Sequence, residues 1–159
     1  MDKRAYTNTP VPVEKSHGQI RQLLAKHSVK AIRFTSFPSY ALLEYVREVQ
    51  KGQFIPYQIQ IVPKFSSYKS GAGGVDQAEK QVWRVAYWWL KSKLEAIEFG
   101  LVEFEQEFLP YMLLQDSEGR SVPAAQIFFA RLANALGPPT DDPFGGLRPA
   151  LPPKRDEEA

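Results

Sequence analysis

Tyr40-Ala41-Leu42-Leu43-Glu44-Tyr45-Val46-Arg47-Glu48-Val49-Gln50, then Lys51-Gly52, then Gln53-Phe54-Ile55-Pro56-Tyr57-Gln58-Ile59-Gln60-Ile61, is the stretch on which the fold turns. Its first half reads two ways. Leu42, Leu43, Val46 and Val49 keep helical spacing, and Ala, Leu and Glu favour a helix. Leu43, Tyr45, Arg47 and Val49 also alternate, as one face of a strand does. The second half is clearer, with Ile55, Tyr57, Ile59 and Ile61 set against Gln58, Gln60 and Val62. Lys51-Gly52 makes a two-residue hairpin turn if both halves are strands, so the strand reading is preferred for 40–50. Pro56 lacks an N–H and suggests an edge strand or a bulge.

Working back from the hairpin, Val29 to Ser36 reads as a strand with Ile32 and Phe34 on one face and Ala31, Arg33 and Thr35 on the other. Glu14 to His27 reads as a helix whose Ile20, Leu23 and Leu24 share a face, although Gly18 weakens it. The opening through Pro10-Val11-Pro12 is expected to be extended.

Working forward, Ser66 to Gly74 has the composition of a flexible loop. It only superficially resembles a phosphate cradle, because Lys69 precedes the glycines and Asp76 would repel an anion. Asp76 is expected to cap a long helix that runs to Phe99 and stops at Gly100. Leu101 to Leu114 reads as mainly helical, bent or ended near Pro110. Asp116 to Gly119 is a turn, and Ser121 caps a last helix through Ile127, Phe128, Leu132 and Leu136. Gly137-Pro138-Pro139 stops it. The expected fold is α+β, a three-stranded antiparallel sheet packed with helices in the order α-β-β-β-α-α-α. One domain is expected over residues 1–137, with a disordered, Pro/Gly-rich acidic tail over 138–159.

With 159 residues and 43% hydrophobic content the chain can build a core. It has no cysteine, which excludes a disulfide framework and a thiolate metal site, and only two histidines, His17 and His27. The N-terminal residues lack a signal-peptide apolar region, and no run approaches the ~18 apolar residues of a membrane span. A cytoplasmic chain is the expectation. The net charge of +2 hides an asymmetry: residues 1–99 carry 15 Lys/Arg and 8 Asp/Glu, a balance of +7, whereas residues 100–159 carry 5 and 10, a balance of −5. That points either to nucleic-acid contact with an acidic tail or to pairing between the halves within the fold.

The long helix carries the candidate site. At 100° per residue, Val82, Val85, Ala86, Trp89, Leu90 and Ile97 form an apolar stripe, with Lys80, Arg84, Tyr87, Trp88 and Lys91 opposite. Cations beside aromatic rings suit single-stranded nucleic acid, whose phosphates need charge neutralisation and whose bases stack at about 1–3 kcal/mol each. The expected contacts are Arg84, Lys91, Lys93, Tyr87, Trp88 and Trp83, and DNA is expected rather than RNA. The competing reading packs Tyr87 and Trp88 under a neighbouring helix and pairs Arg84 and Lys91 with Glu95 or Glu98. Lys93 falls inside the apolar stripe, as a phosphate contact or as a stem lying over the core with its ammonium at the rim. Arg33, Arg47 and Tyr45 would join the basic surface if one sheet face is open. Glu103, Glu105 and Glu107 offer a metal or acid/base pair only if Glu103 and Glu107 converge with a third carboxylate; a solvated face is the alternative. No serine-nucleophile motif is present, so neither catalysis nor a cofactor or metal is expected.

Asp141-Asp142-Pro143-Phe144 resembles the acidic tip of bacterial single-stranded DNA-binding proteins, which recruits protein partners, although here it is internal. Asp156-Glu157-Glu158 is a second acidic cluster. Four further segments resemble small, mostly uncharacterised phage and prophage proteins. They are Thr9-Pro10-Val11-Pro12-Val13-Glu14-Lys15; Trp83-Arg84 leading to Lys91-Ser92-Lys93-Leu94-Glu95-Ala96; Phe104-Glu105-Gln106-Glu107-Phe108-Leu109; and Gly119-Arg120-Ser121-Val122. The resemblance implies a phage or mobile-element origin and a role in replication, recombination or host takeover. Three functions follow in order: a single-strand-binding protein, a protein-interaction module (host-factor inhibitor or virion component), and a metal-dependent nuclease.

Overall fold

The computed structural model describes residues 5–63 and 74–135. The elements are α1 (Val13–Ala25), β1 (Val29–Ser36), β2 (Ala41–Gln50), β3 (Gln53–Ile61), α2 (Gly74–Phe99) and α3 (Phe104–Phe108). After a single 3-10 turn at Leu109–Tyr111 come β4 (Leu113–Gln115), β5 (Ser121–Pro123) and α4 (Ala124–Ala135). Of the loop expected over residues 66–74, Gly74 is the first residue of α2; Lys64, the rest of that loop, the boundary at Gly137, and the tail with its Asp141-Asp142-Pro143-Phe144 motif lie outside the described residues.

The fold is α+β, built on an antiparallel sheet in the order β1-β2-β3. The ambiguous segment is a strand. Leu43 pairs with Phe34 and Ile59, and Tyr45 with Ile32 and Tyr57, so the apolar residues of three strands fall on one face. A helix over 41–50 would have left the Ile55–Ile61 alternation without a partner. Pro56 sits on β3, an edge strand of this sheet, as its missing donor requires.

Among the described residues, the helices pack on that face. Ile20 and Leu24 of α1, with Val82, Trp83, Ala86, Leu90 and Leu94 of α2, form one core with Leu43, Tyr45, Tyr57 and Ile59 of the sheet and Phe104 and Phe108 of α3. The Tyr45 and Tyr57 rings stack at 4.9 Å, and Phe104 meets both edge-on. Burial pushes the pKa of both tyrosine hydroxyls up. Gly100 adopts φ +87°, its N–H donates to Ile97 O, and the N–H of Leu101 donates to Ala96 O. This paired closure ends α2 where the sequence places its stop.

Three local expectations are corrected. Asp76 lies in the first turn of α2 and pairs with Lys80 at 2.6 Å; it is not the cap, because the helix begins at Gly74. Residues 101–114 are helical only over Phe104–Phe108 and the 3-10 turn, ending near Pro110 as expected, but Leu113–Gln115 pairs with Ser121–Pro123 as a hairpin. Ser121 is therefore a strand residue and not a helix cap. The turn itself is where the sequence puts it. Asp116 Oδ1 accepts the N–H groups of Glu118 and Arg120 at 2.8 and 2.9 Å, and Gly119 takes φ +75°. Those hydrogen bonds, the Arg120 amide foremost, hold the Asp116 carboxyl below the usual range. A bridge between Tyr57 and Met112 joins the hairpin region to β3.

Candidate interaction surfaces

The residues expected to contact nucleic acid divide between core and surface. Trp83 is 0% exposed; its Nε1 donates to Ser36 Oγ at 3.2 Å, and its ring meets His17 and Phe34 edge-on. It is a core residue, with no ring face left for a base. Tyr87 is 9% exposed and also belongs to the core. Trp88 is the ring that reaches solvent, at 38% exposure. The Arg84 guanidinium lies 4.7 Å from the Tyr87 centroid and 5.1 Å from that of Trp88, and the Lys91 ammonium lies 5.0 Å from the latter.

The cations have other commitments. Arg84 donates to Gln19 Oε1 of α1 at 2.7 Å, and Lys91 pairs with Glu95 at 3.2 Å. Lys93 pairs with Glu107, and its ammonium sits 5.1 Å from the Trp89 centroid. It does not share the Arg84–Trp88 surface. Its stem lies over the core and its head at the rim, joining α2 to α3. The buried arc of α2 is rotated from the sequence stripe: Val85, expected in the stripe, is 39% exposed, whereas Trp83 and Tyr87 are buried, and α1 packs on the side carrying Arg84. Periodicity along one helix carries no information about which second element will cover its flank.

The acidic residues of α3 hold the fold together. Glu103 is the N-cap, its N–H donating to Gln106 Oε1 at 3.3 Å. Glu105 pairs with Arg47, which also donates to His27 O at 2.9 Å and lies over the Phe104 ring at 4.4 Å. Glu107 pairs with Lys93. Among the described residues, no three His, Cys, Asp or Glu side chains gather as metal ligands would, so Glu103 and Glu107 have no third carboxylate beside them. Arg47 and Tyr45 sit on the helix-covered face of the sheet rather than beside Arg33, since Tyr45 is core and Arg47 reaches α3. Arg33 is on the opposite face, bidentate to Glu44 at 2.6 and 2.8 Å.

The surface that the sequence reading passed over is at α4. Nine of its twelve residues are apolar, yet none of those whose side chains are described is buried. Phe128 and Phe129 are 60% and 63% exposed, and Leu109 and Leu114 beside them are also exposed. Together with Pro110, Ala124 and Ala125 they line a groove of about 510 Å³, whose only charged lining residue is Arg131. Arg131 makes no hydrogen bond or ion pair among the described residues. The signal was present in Ile127-Phe128-Phe129, since adjacent phenylalanines on a helix point about 100° apart and cannot both enter one narrow seam. No family model matches the chain, and neither does any curated protein or solved structure. Among the described residues, no helix is long and apolar enough to cross a membrane.

Proposed function

We propose that this chain is a non-enzymatic protein-interaction module that engages a partner through the apolar surface of α4, Leu109 and Leu114. The supporting observation is the exposure of Phe128 and Phe129 on a helix with no buried described residue. Contiguous apolar patches of a few hundred Å² rimmed by polar groups mark interaction sites on soluble proteins. A phenylalanine buries about 150–250 Å² when fully covered, so these two rings expose on the order of 250 Å² before Leu109 and Leu114 are added. A central aromatic patch with a single arginine at its edge is the composition of a binding hot spot. A phage origin makes a host factor or a virion component the class of partner. The test is affinity capture from nuclease-treated host lysate, comparing the native chain with a Phe128→Lys/Phe129→Lys variant. A partner retained by the native chain and lost from the variant supports the reading; equal retention by both removes it.

A second reading keeps single-stranded DNA, in replication or recombination, at Trp88, Arg84 and Lys91. It is favoured by one geometry: two cations within 5.1 Å of one half-exposed indole. Arg84 has no carboxylate partner among the described residues, so its charge is available to a phosphate. Two phosphate contacts on a single strand give a log–log salt slope of about −1.4. Fluorescence anisotropy with single-stranded DNA, RNA and duplex DNA at two salt concentrations tests this. No binding at low salt, or binding that Trp88→Ala leaves intact, discards it.

A further inference from the structure

We infer that the α4 groove is a docking site for this chain's own Asp141-Asp142-Pro143-Phe144 segment, which covers the surface until a partner displaces it. The inference rests on reading α4 as a binding surface, and it names the surface's resident occupant. Two observations carry it.

The first is chemical complementarity. The groove is apolar except for Arg131, a cation with no carboxylate of its own among the described residues. The nearby arginine, Arg120, is already held by Asp116 at 2.9 Å and Glu118 at 3.1 Å, so the unmet demand for an anion is at Arg131. Asp141-Asp142 followed by Pro143-Phe144 supplies two carboxylates and one aromatic ring in four residues. A carboxylate accepts paired hydrogen bonds from a guanidinium, and a phenyl ring fits beside Phe128 and Phe129 in offset or edge-on contact.

The second is reach. Asp141 lies six residues beyond Ala135, the last residue of α4. Six residues of extended chain span up to about 20 Å. Returning along the helix from Ala135 to Phe128 takes seven residues, or about 10 Å at 1.5 Å per residue. The segment is therefore long enough to lie back along α4.

Mass action sets the consequence. A short tether holds its ligand at an effective concentration of order 1 mM, so a contact with an intrinsic Kd of about 0.1 mM would be about 90% closed. An external partner must then compete with the tether, which makes the segment a built-in threshold on binding. The negative balance of residues 100–159 gains a specific destination in Arg131.

The test uses the full chain, labelled with ¹⁵N, with Phe144→Ala and Asp141→Asn/Asp142→Asn as variants. Residue 144 is far enough from α4 in sequence that shifts of the Ala124–Arg131 amides report contact rather than connectivity. Docking predicts that both variants move those amides while leaving β1–β3 in place, and that both raise the fluorescence of a hydrophobic dye severalfold. Unchanged α4 amides in both variants overturn the inference. Amide positions that depend on dilution, with sedimentation at twice the monomer mass, also overturn it; a second copy is then the occupant and the binding surface itself survives. Failure of the underlying reading is separately visible. In that case Phe128→Ser/Phe129→Ser changes neither dye binding nor partner capture.

Discussion

The α4 surface can be tested without knowing its partner, by comparing two kinds of phenylalanine. Phe108 is fully buried against Tyr45, Trp89 and Phe104. Its replacement by Ala should cost about 3–5 kcal/mol, from lost burial and the cavity left behind. Phe128 and Phe129 keep about two-fifths of their area covered. Taking about 200 Å² per ring, that is ~80 Å² each, or at most ~2 kcal/mol at 25 cal/mol per Å². The unfolded chain already hides part of this area, so the expected cost of Phe128→Ser or Phe129→Ser is about 1 kcal/mol or less. Urea unfolding followed by tryptophan fluorescence measures both, and native-like slopes would confirm that the compared states are the same. The same rings expose ~120 Å² each to a partner, worth about 3 kcal/mol gross, so either substitution should weaken partner binding by up to ~100-fold. If Phe128→Ser destabilises the chain as much as Phe108→Ala, α4 is interior and the argument for a binding surface collapses.

Other expectations concern the fold. Gly100→Ala forces an alanine into φ +87° and should cost about 1–2 kcal/mol, whereas Gly18→Ala, where an added Cβ meets nothing within 4 Å inside α1, should stabilise by roughly 0.5–1 kcal/mol. Opposite signs in thermal unfolding check the pair. His17 stacks on Phe34 at 3.9 Å, and burial lowers its pKa against the opposing pull of Glu79. Because the unfolded chain then takes up this proton first, the contribution is complete above the ordinary value of about 6.5 and erodes as pH falls from there through the folded value. Urea midpoints from pH 7.5 to 5 should decline, and His17→Gln should flatten the decline; an unchanged slope refutes the assignment. Arg33→Ala should raise the Glu44 pKa, held down chiefly by the Arg33 hydrogen bond, and should barely change stability because Arg33 is exposed. Carboxyl NMR titration reads the first and denaturation the second.

The elements legible in the sequence were those whose evidence is local. β1 and β2 were read within a residue, because alternation and a turn dipeptide are written into neighbouring positions; β3 was read from Ile55 and past its end, whereas it runs Gln53–Ile61. Gly100 as the stop of α2, and the Asp116–Gly119 turn, follow from single residues suited to unusual backbone angles. The β4–β5 hairpin was missed because three-residue strands carry no period to detect. Among the site residues, Trp88, Arg84 and Lys91 do share a surface, as their spacing on one helix dictates. Trp83 was drawn inward by His17 of α1 and Phe34 of β1, Tyr87 also joined the core, and Lys93 was taken by Glu107 of α3, fourteen positions away.

By itself, the sequence determined an α+β chain with a three-stranded antiparallel sheet, a long cation- and aromatic-bearing helix and a strong charge asymmetry. Only the tertiary structure decided which aromatics are core and which are surface. Burial depends on what packs against both flanks of a helix, and a one-dimensional stripe reports one flank at most. The same limit explains α4: its apolar composition announces a covered helix, and packing left it uncovered among the described residues.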